Sequence, residues 1–168
     1  SVSEASSNLA RFDGVRFGYR PKKLPSDLTS FYLESRSAFG EEVKRRILLG
    51  TFCLSTGYYD AYYGKAAKVR KWIQNDFERV FRDVDVLMSP VAPTTAFKRG
   101  EKTQDPLQMY LVDLLTIPAS LAGLPAISVP CGEDSEGLSI GFQMIGKPSH
   151  DLNILQLAEQ FEKESGLC

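Results

Sequence analysis

Two charged side chains stand where a purely structural role would not put them. Arg46 directly precedes the apolar run Ile47-Leu-Leu-Gly-Thr-Phe-Cys-Leu54. On a helical wheel it falls roughly 60° from the direction shared by Val43, Ile47 and Leu54, which predicts a guanidinium entering the protein where water runs out. A charge there needs a partner. Asp113 is enclosed by Val112, Leu114 and Leu115. On the wheel, however, it lies with Met109, away from the stripe Leu107, Leu111 and Leu114, and a surface acid fits it equally well. If the two met at a cleft, they would offer one positive and one negative group. That pair recognises the carboxylate and the amine of a free α-amino acid.

Other catalytic patterns fail on context. Gly137-Leu-Ser-Ile-Gly141 matches the G-x-S-x-G of a nucleophile elbow. An elbow needs a strand before its serine, a helix after it, and an acid then a histidine downstream. Here Ser139 opens a strand pattern, and no acid lies between it and His150, the one histidine of the chain. His150, between Ser149 and Asp151 at a helix start, reads as solvent-facing. None of the 13 glycines is adjacent to another, and no G-K-[ST] or G-x-G-x-x-G occurs, so no phosphate loop is present. The acids are scattered over polar faces, and no catalytic carboxylate pair can be singled out. Cys53, Cys131 and Cys168 are odd in number and far apart. Neither a disulfide framework nor a zinc site follows from them, and they read as small buried hydrophobes in a reducing compartment.

The elements that must position Arg46 and Asp113 can be read from periodicity and punctuation. Residues 1–25 form a short polar segment and then a loop, with Arg11, Arg16, Arg20, Lys22 and Lys23 against Glu4 and Asp13. A helix begins near Gly40, with Glu41 and Glu42 in its first turn, and runs through the apolar segment to Leu54. Apolar side chains there point all round, which predicts burial on all sides. The rings of Tyr58/Tyr62 and Tyr59/Tyr63 pair at i,i+4 and read as aromatic core. Residues 65–82 make an amphipathic helix on Ala66, Val69, Ile73, Phe77, Val80 and Phe81. Residues 84–88 are a short buried strand, followed by a long loop containing Pro90, Pro93 and Gly100.

Asp105-Pro106 caps a helix over 107–115, ending before Pro118, and a further helical turn fits 119–122. A strand at 126–129, a turn at 132–137 and the alternating Ile140, Phe142 and Met144 make a hairpin with one buried face. Residues 151–164 form a helix packed through Leu152, Leu155, Ala158 and Phe161. The fold class is α/β or α+β, with a sheet that is small for its helices.

Composition excludes whole classes of function. With 168 residues, 43% hydrophobic, the chain can bury a real core. No apolar run approaches the ~20 residues of a membrane span. Twenty basic against twenty-one acidic residues leave no net field to draw in nucleic acid. No apolar signal segment stands at the start. Position 1 is Ser and the methionines are Met88, Met109 and Met144, which suggests a chain that is processed, engineered or a piece of something longer.

Five segments carry a resemblance. They are the stretch from Glu4-Ala-Ser-Ser-Asn to Gly18, Glu42-Val-Lys-Arg-Arg-Ile47 with Tyr58-Tyr-Asp-Ala-Tyr-Tyr63, Pro90-Val-Ala-Pro-Thr-Thr-Ala-Phe97, and the stretch from Leu121-Ala-Gly-Leu-Pro to Gly132. Together they resemble the amidase signature family, and within it the glutamine-hydrolysing subunits of tRNA-dependent amidotransferases. The resemblance covers essentially the whole chain and corresponds to the C-terminal third of such a protein. It implies a mixed β-sheet covered by helices, with residues 1–168 as the C-terminal portion of one amidase domain. The nucleophilic serine, the bridging cis-peptide serine and the lysine base would lie upstream, so this stretch would hold no catalytic residue and no metal.

The resemblance also implies an activity: hydrolysis of glutamine, with ammonia passed on for the transamidation of Glu-tRNA(Gln), with Asp-tRNA(Asn) left open as a second acceptor. The arginine closing V-K-R-R and the aspartate of M-Y-x-x-D hold the glutamine carboxylate and amine in this family; here they are Arg46 and Asp113. The implied partners are subunits B and C, with ATP and Mg2+ used at the partner subunit, no cofactor in this stretch and no membrane. The implied compartment is the cytoplasm, or a mitochondrion or plastid in a eukaryote. Two other readings are a general amidase acting on simple amides and a non-catalytic module whose basic N-terminal loop touches tRNA or another subunit.

Overall fold

A computed structural model describes residues 2–101 and 106–166. The expected cap at Asp105 and the thiol of Cys168 lie outside them. The chain divides into two compact units, Ser1–Lys68 and Val69–Cys168.

The first unit is helical. Helix α1 spans Val2–Leu9, α2 Leu28–Ser37 and α3 Glu41–Leu54, followed by a π-helical turn at Asp60–Gly64. The polar opening segment is thus a helix. Helix α2 was not read from the sequence, although its cap is a simple one: the Asp27 carboxylate accepts the Ser30 N–H at 2.9 Å, which satisfies one of the free N–H groups of the first turn. Helix α3 starts after Gly40 with Glu41 and Glu42 in its first turn, as expected. It packs chiefly on α1, and the approach is close at Gly50. A Cβ there would overlap the Val2 carbonyl oxygen and come within 3.0 Å of Ser6 Cβ.

The expected all-round burial of α3 is not observed. Gly50 is its one buried residue, and Leu48 is 72% exposed. Burial on all sides requires elements on all sides, and within this unit α1 covers only the Gly50 flank. The tyrosines pair as expected, with centroids 6.0 Å apart for Tyr58/Tyr62 and 5.0 Å for Tyr59/Tyr63. They are not core, because Tyr58, Tyr59 and Tyr62 are exposed. Instead Tyr58 stacks on Phe52 at 4.5 Å.

Helix α4 spans Lys65–Val80, so the division between the units falls within it. In the second unit β1 is Val86–Pro90, α5 Pro106–Val112, α6 Ile117–Ala122, β2 Ala126–Glu133, β3 Ser139–Gly146 and α7 Asp151–Ser165. The α/β class holds. The sheet has the order β1-β3-β2 with both pairings antiparallel. Strand β2 is longer than its expected four residues and runs through Pro130, with an irregularity between Pro130 and Gly132. It is an edge strand, where a missing N–H is tolerated.

Strand β3 is central, and its alternation sends side chains to two cores rather than one. On one face Met144 packs with Val129, Ile154 and Ala158, flanked by Phe142 and Phe161. On the other, Ile145 packs with Phe81 and Ala119, flanked by Phe77, Leu87 and Leu124. The single buried face expected for the hairpin is therefore corrected to two, because helices lie against both sides of β3. On α7 the buried stripe is Ile154, Ala158 and the half-buried Phe161, while Leu152 and Leu155 are exposed. Spacings of i, i+4 and i+7 hold one face of a helix, whereas the expected i, i+3, i+6 series drifts off it.

Candidate functional site

Arg46 lies in the second turn of α3, a helix started by the acidic pair that complements its N-terminal dipole. Its side chain is 52% exposed, so the expected entry into a dry interior is corrected. The Nε–H donates to Glu42 Oε1 at 3.0 Å, one turn back. Arg45 donates to the other Glu42 oxygen at 3.0 Å. The partner that the charge needed is thus on its own helix. The terminal nitrogens of Arg46 make no hydrogen bond to a described residue.

Asp113 lies in the second unit, just past α5. The expected helix over 107–115 ends at Val112. The Asp113 carbonyl accepts the N–H groups of Thr116 at 3.2 Å and Ile117 at 3.0 Å, and the Thr116 hydroxyl at 3.3 Å. These bonds fold the chain into a tight turn leading to α6, with Pro118 near its start. The Asp113 side chain is exposed, and no described residue pairs with its carboxylate. The stripe Leu107, Leu111 and Leu114 is exposed as well, so α5 shows no buried face.

Beside this turn opens a cavity of about 540 Å³. Its walls are the loop from Pro90 to Phe97, the start of β3 from Ser139 to Gly141, and Val112 and Leu115 on either side of Asp113. The lining is mostly apolar. The loop after β1 is steadied from the hairpin turn, where the Asp134 carboxylate accepts the N–H groups of Leu138 and Glu136 at 2.9 Å each. Those backbone donors, with a bond from Thr95, hold its carboxyl below the usual value of 3.8.

Gln143 is the site residue that sequence reasoning missed. It is 3% exposed on β3, facing the second core. Its Nε2 lies 2.7 Å from the Leu115 carbonyl oxygen and 2.9 Å from Ser89 Oγ. The available signal was an amide interrupting the apolar sequence Phe142-Gln-Met-Ile145.

The remaining expectations sort simply. Ser139 opens β3 with no helix after it, so the elbow pattern stays rejected. His150 is exposed, its Nδ1 2.9 Å from the Pro148 carbonyl oxygen. Cys131 is exposed and Cys53 half-buried, which corrects the buried reading of both. No cluster of three metal-ligating side chains occurs among the described residues. No helix among them is long and apolar enough to cross a membrane.

The antiparallel sheet thus carries packed side chains on both faces of β3, with a cavity beside the turn at Asp113. The model of the Amidase family matches residues 1–155, and the chain belongs to that family. It is 59% identical over 164 residues to the A subunit of the glutamyl-tRNA(Gln) amidotransferase of Acaryochloris marina, covering 97% of this chain and 34% of that protein. It is 60% identical over 166 residues to the protein of the same name from Staphylococcus epidermidis, covering 98% and 34%. The crystal structure of the A subunit of the Thermotoga maritima glutamyl-tRNA(Gln) amidotransferase superposes with a TM-score of 0.62 at 45% identity, covering 82% of this chain and 30% of that one. The chain thus spans about a third of the length of the curated relatives it matches.

Proposed function

We propose that the full-length protein containing this chain is the glutamine-hydrolysing subunit of a glutamyl-tRNA(Gln) amidotransferase, and that this stretch binds glutamine. The observation that carries the reading is the identity of 59–60% held over 97–98% of the chain to proteins of that name. Two features of the side chains support it. The terminal nitrogens of the Arg46 fork bond no described residue, a geometry suited to a carboxylate. The Asp113 carboxylate pairs with no described residue and stands beside a cavity of a size suited to a small substrate.

In this reading Arg46 takes the α-carboxylate and Asp113 the α-ammonium of glutamine. A serine outside this stretch attacks the side-chain amide carbon. The C–N bond breaks, a γ-glutamyl ester forms, and the nitrogen leaves as ammonia after gaining a proton. Water then releases glutamate. The ammonia serves transamidation of Glu-tRNA(Gln), and of Asp-tRNA(Asn) where that is supplied, with subunits B and C as partners. ATP and Mg2+ act at the partner subunit, and the complex works in the cytoplasm or an organelle matrix.

The test is a transamidation assay on the full-length protein assembled with its partner subunits. Glutamine with ATP should convert Glu-tRNA(Gln) to Gln-tRNA(Gln). Hydrolysis of simple aliphatic amides in preference to glutamine, without transamidation, would make it a general amidase instead.

A further inference from the structure

Gln143 is a buried amide set among apolar side chains, and its partners lie at the edges of the candidate site. The Leu115 and Pro90 carbonyl oxygens can only accept hydrogen bonds. The nitrogen, not the oxygen, of the Gln143 amide must therefore face them, which fixes the orientation of the group. Nε2 is 2.7 Å from Leu115 O, 2.9 Å from Ser89 Oγ and 3.4 Å from Pro90 O. Its two hydrogens serve the two short contacts. The Ser89 hydroxyl accepts one of them and donates in turn to Pro90 O at 3.2 Å.

Leu115 lies two residues beyond Asp113, inside the turn closed by the Thr116 and Ile117 N–H groups on the Asp113 carbonyl. Pro90 and Leu115 both line the cavity. One amide on the central strand thus pins the cavity's loop and the Asp113 turn to the same point of the sheet.

We propose that Gln143 is the positioning residue for Asp113, holding the turn so that the carboxylate meets the α-ammonium group of an amino-acid substrate. The proposal rests on the reading of Asp113 as the ammonium-binding group. Gln143 touches no substrate and acts through Leu115. A side chain that served the core alone would be replaceable by an apolar one of like volume. A positioning amide is not, because an apolar side chain leaves the Leu115 carbonyl without this donor and releases the turn.

The experiment uses the full-length protein in its complex and measures kcat and KM for glutamine and for glutaramate, which is glutamine without its α-amino group. Gln143→Met should raise the glutamine KM on the order of tenfold, as expected for a lost hydrogen bond at a buried acceptor. Its kcat and its glutaramate KM should stay within about twofold of wild type. Asp113→Asn should show the same selective loss, and the double variant should lose little beyond Asp113→Asn alone. If Gln143→Met does not fold, Gln143→Asn keeps the amide but withdraws it by one methylene and should give the same split. An unchanged glutamine KM in the folded variant, or equal losses on both substrates, overturns the proposal while Asp113→Asn stays selective. Loss of selectivity in neither variant overturns the reading of Asp113 together with it.

Discussion

The Arg46 Nε–H donates to the Glu42 carboxylate one helical turn earlier, across 3.0 Å. Glu42 thereby holds the guanidinium along α3 through one edge and leaves the two terminal nitrogens for a second carboxylate. An arginine can serve both through separate edges of its planar fork, a bidentate geometry that the single ammonium of a lysine does not reproduce. The contact also accounts for a charge at the head of an apolar run without any need to bury it.

Removing the fork should weaken glutamine binding without touching the chemistry. In the full-length protein, Arg46→Ala should raise the glutamine KM by roughly 10- to 100-fold, the loss expected for charge-assisted hydrogen bonds of about 1.5–3 kcal/mol. Arg46→Lys should recover only part of it. Steady-state kinetics at varied glutamine checks this, and an unchanged KM removes Arg46 from the site.

Glu42 should matter less. Both of its arginine partners are about half exposed, and pairs of that kind contribute about 0–1 kcal/mol. Glu42→Gln should therefore change the glutamine KM by no more than about fivefold, in the same assay. A loss as large as that of Arg46→Ala would mean that Glu42 itself meets the substrate.

The helix carrying Arg46 and the strands around Gln143 were legible because caps, acidic first turns and alternation are local signals. What surrounds each element is not local, and there the reading failed. The apolar run after Arg46 looks the same whether neighbours cover it or not, and in this unit Gly50 is its one buried residue. Periodicity puts Asp113 on a helix because nothing in its own sequence marks the turn. The turn is made by Thr116 and Ile117 folding back onto its carbonyl. Gln143 carried no motif, and its meaning lies in Leu115 and Ser89, which are 28 and 54 residues away. The roles proposed for Arg46 and Asp113 rest on resemblance, not on burial.

The two faces of α7 separate cleanly by substitution. Ile154 is 2% exposed and fits against Gly146, where a Cβ would lie 2.5 Å from Ile154 Cγ1. Ile154→Ala should cost about 2–5 kcal/mol of unfolding free energy by denaturant titration. Leu152→Ala, on the exposed face, should stay within about 0.5 kcal/mol. Comparable effects at the two positions would mean that α7 is rotated from its described orientation.

Acid should loosen the hairpin turn. Backbone N–H donors to Asp134, chiefly Leu138, favour its ionised form in the folded state and hold its carboxyl below 3.8. The folded value is depressed, so the contribution is complete above the unfolded value and is lost as pH falls through the folded one. Asp85, held down chiefly by its hydrogen bond from Lys147, acts with the same sign. Thermal unfolding should therefore show a midpoint nearly constant from about pH 7 to 5 and falling below about pH 4. Asp134→Asn should flatten that fall, and an identical acid slope would remove Asp134 from the cause.

In the proposed function this stretch recognises glutamine as a zwitterion. That recognition is tested most directly by the ratio of kcat/KM for glutamine to that for a simple aliphatic amide, measured on the full-length complex before and after combining Arg46→Ala with Asp113→Asn. The account predicts that the preference for glutamine falls on the order of 100-fold or more while turnover of the simple amide stays within about threefold. A preference left intact by both substitutions would contradict it.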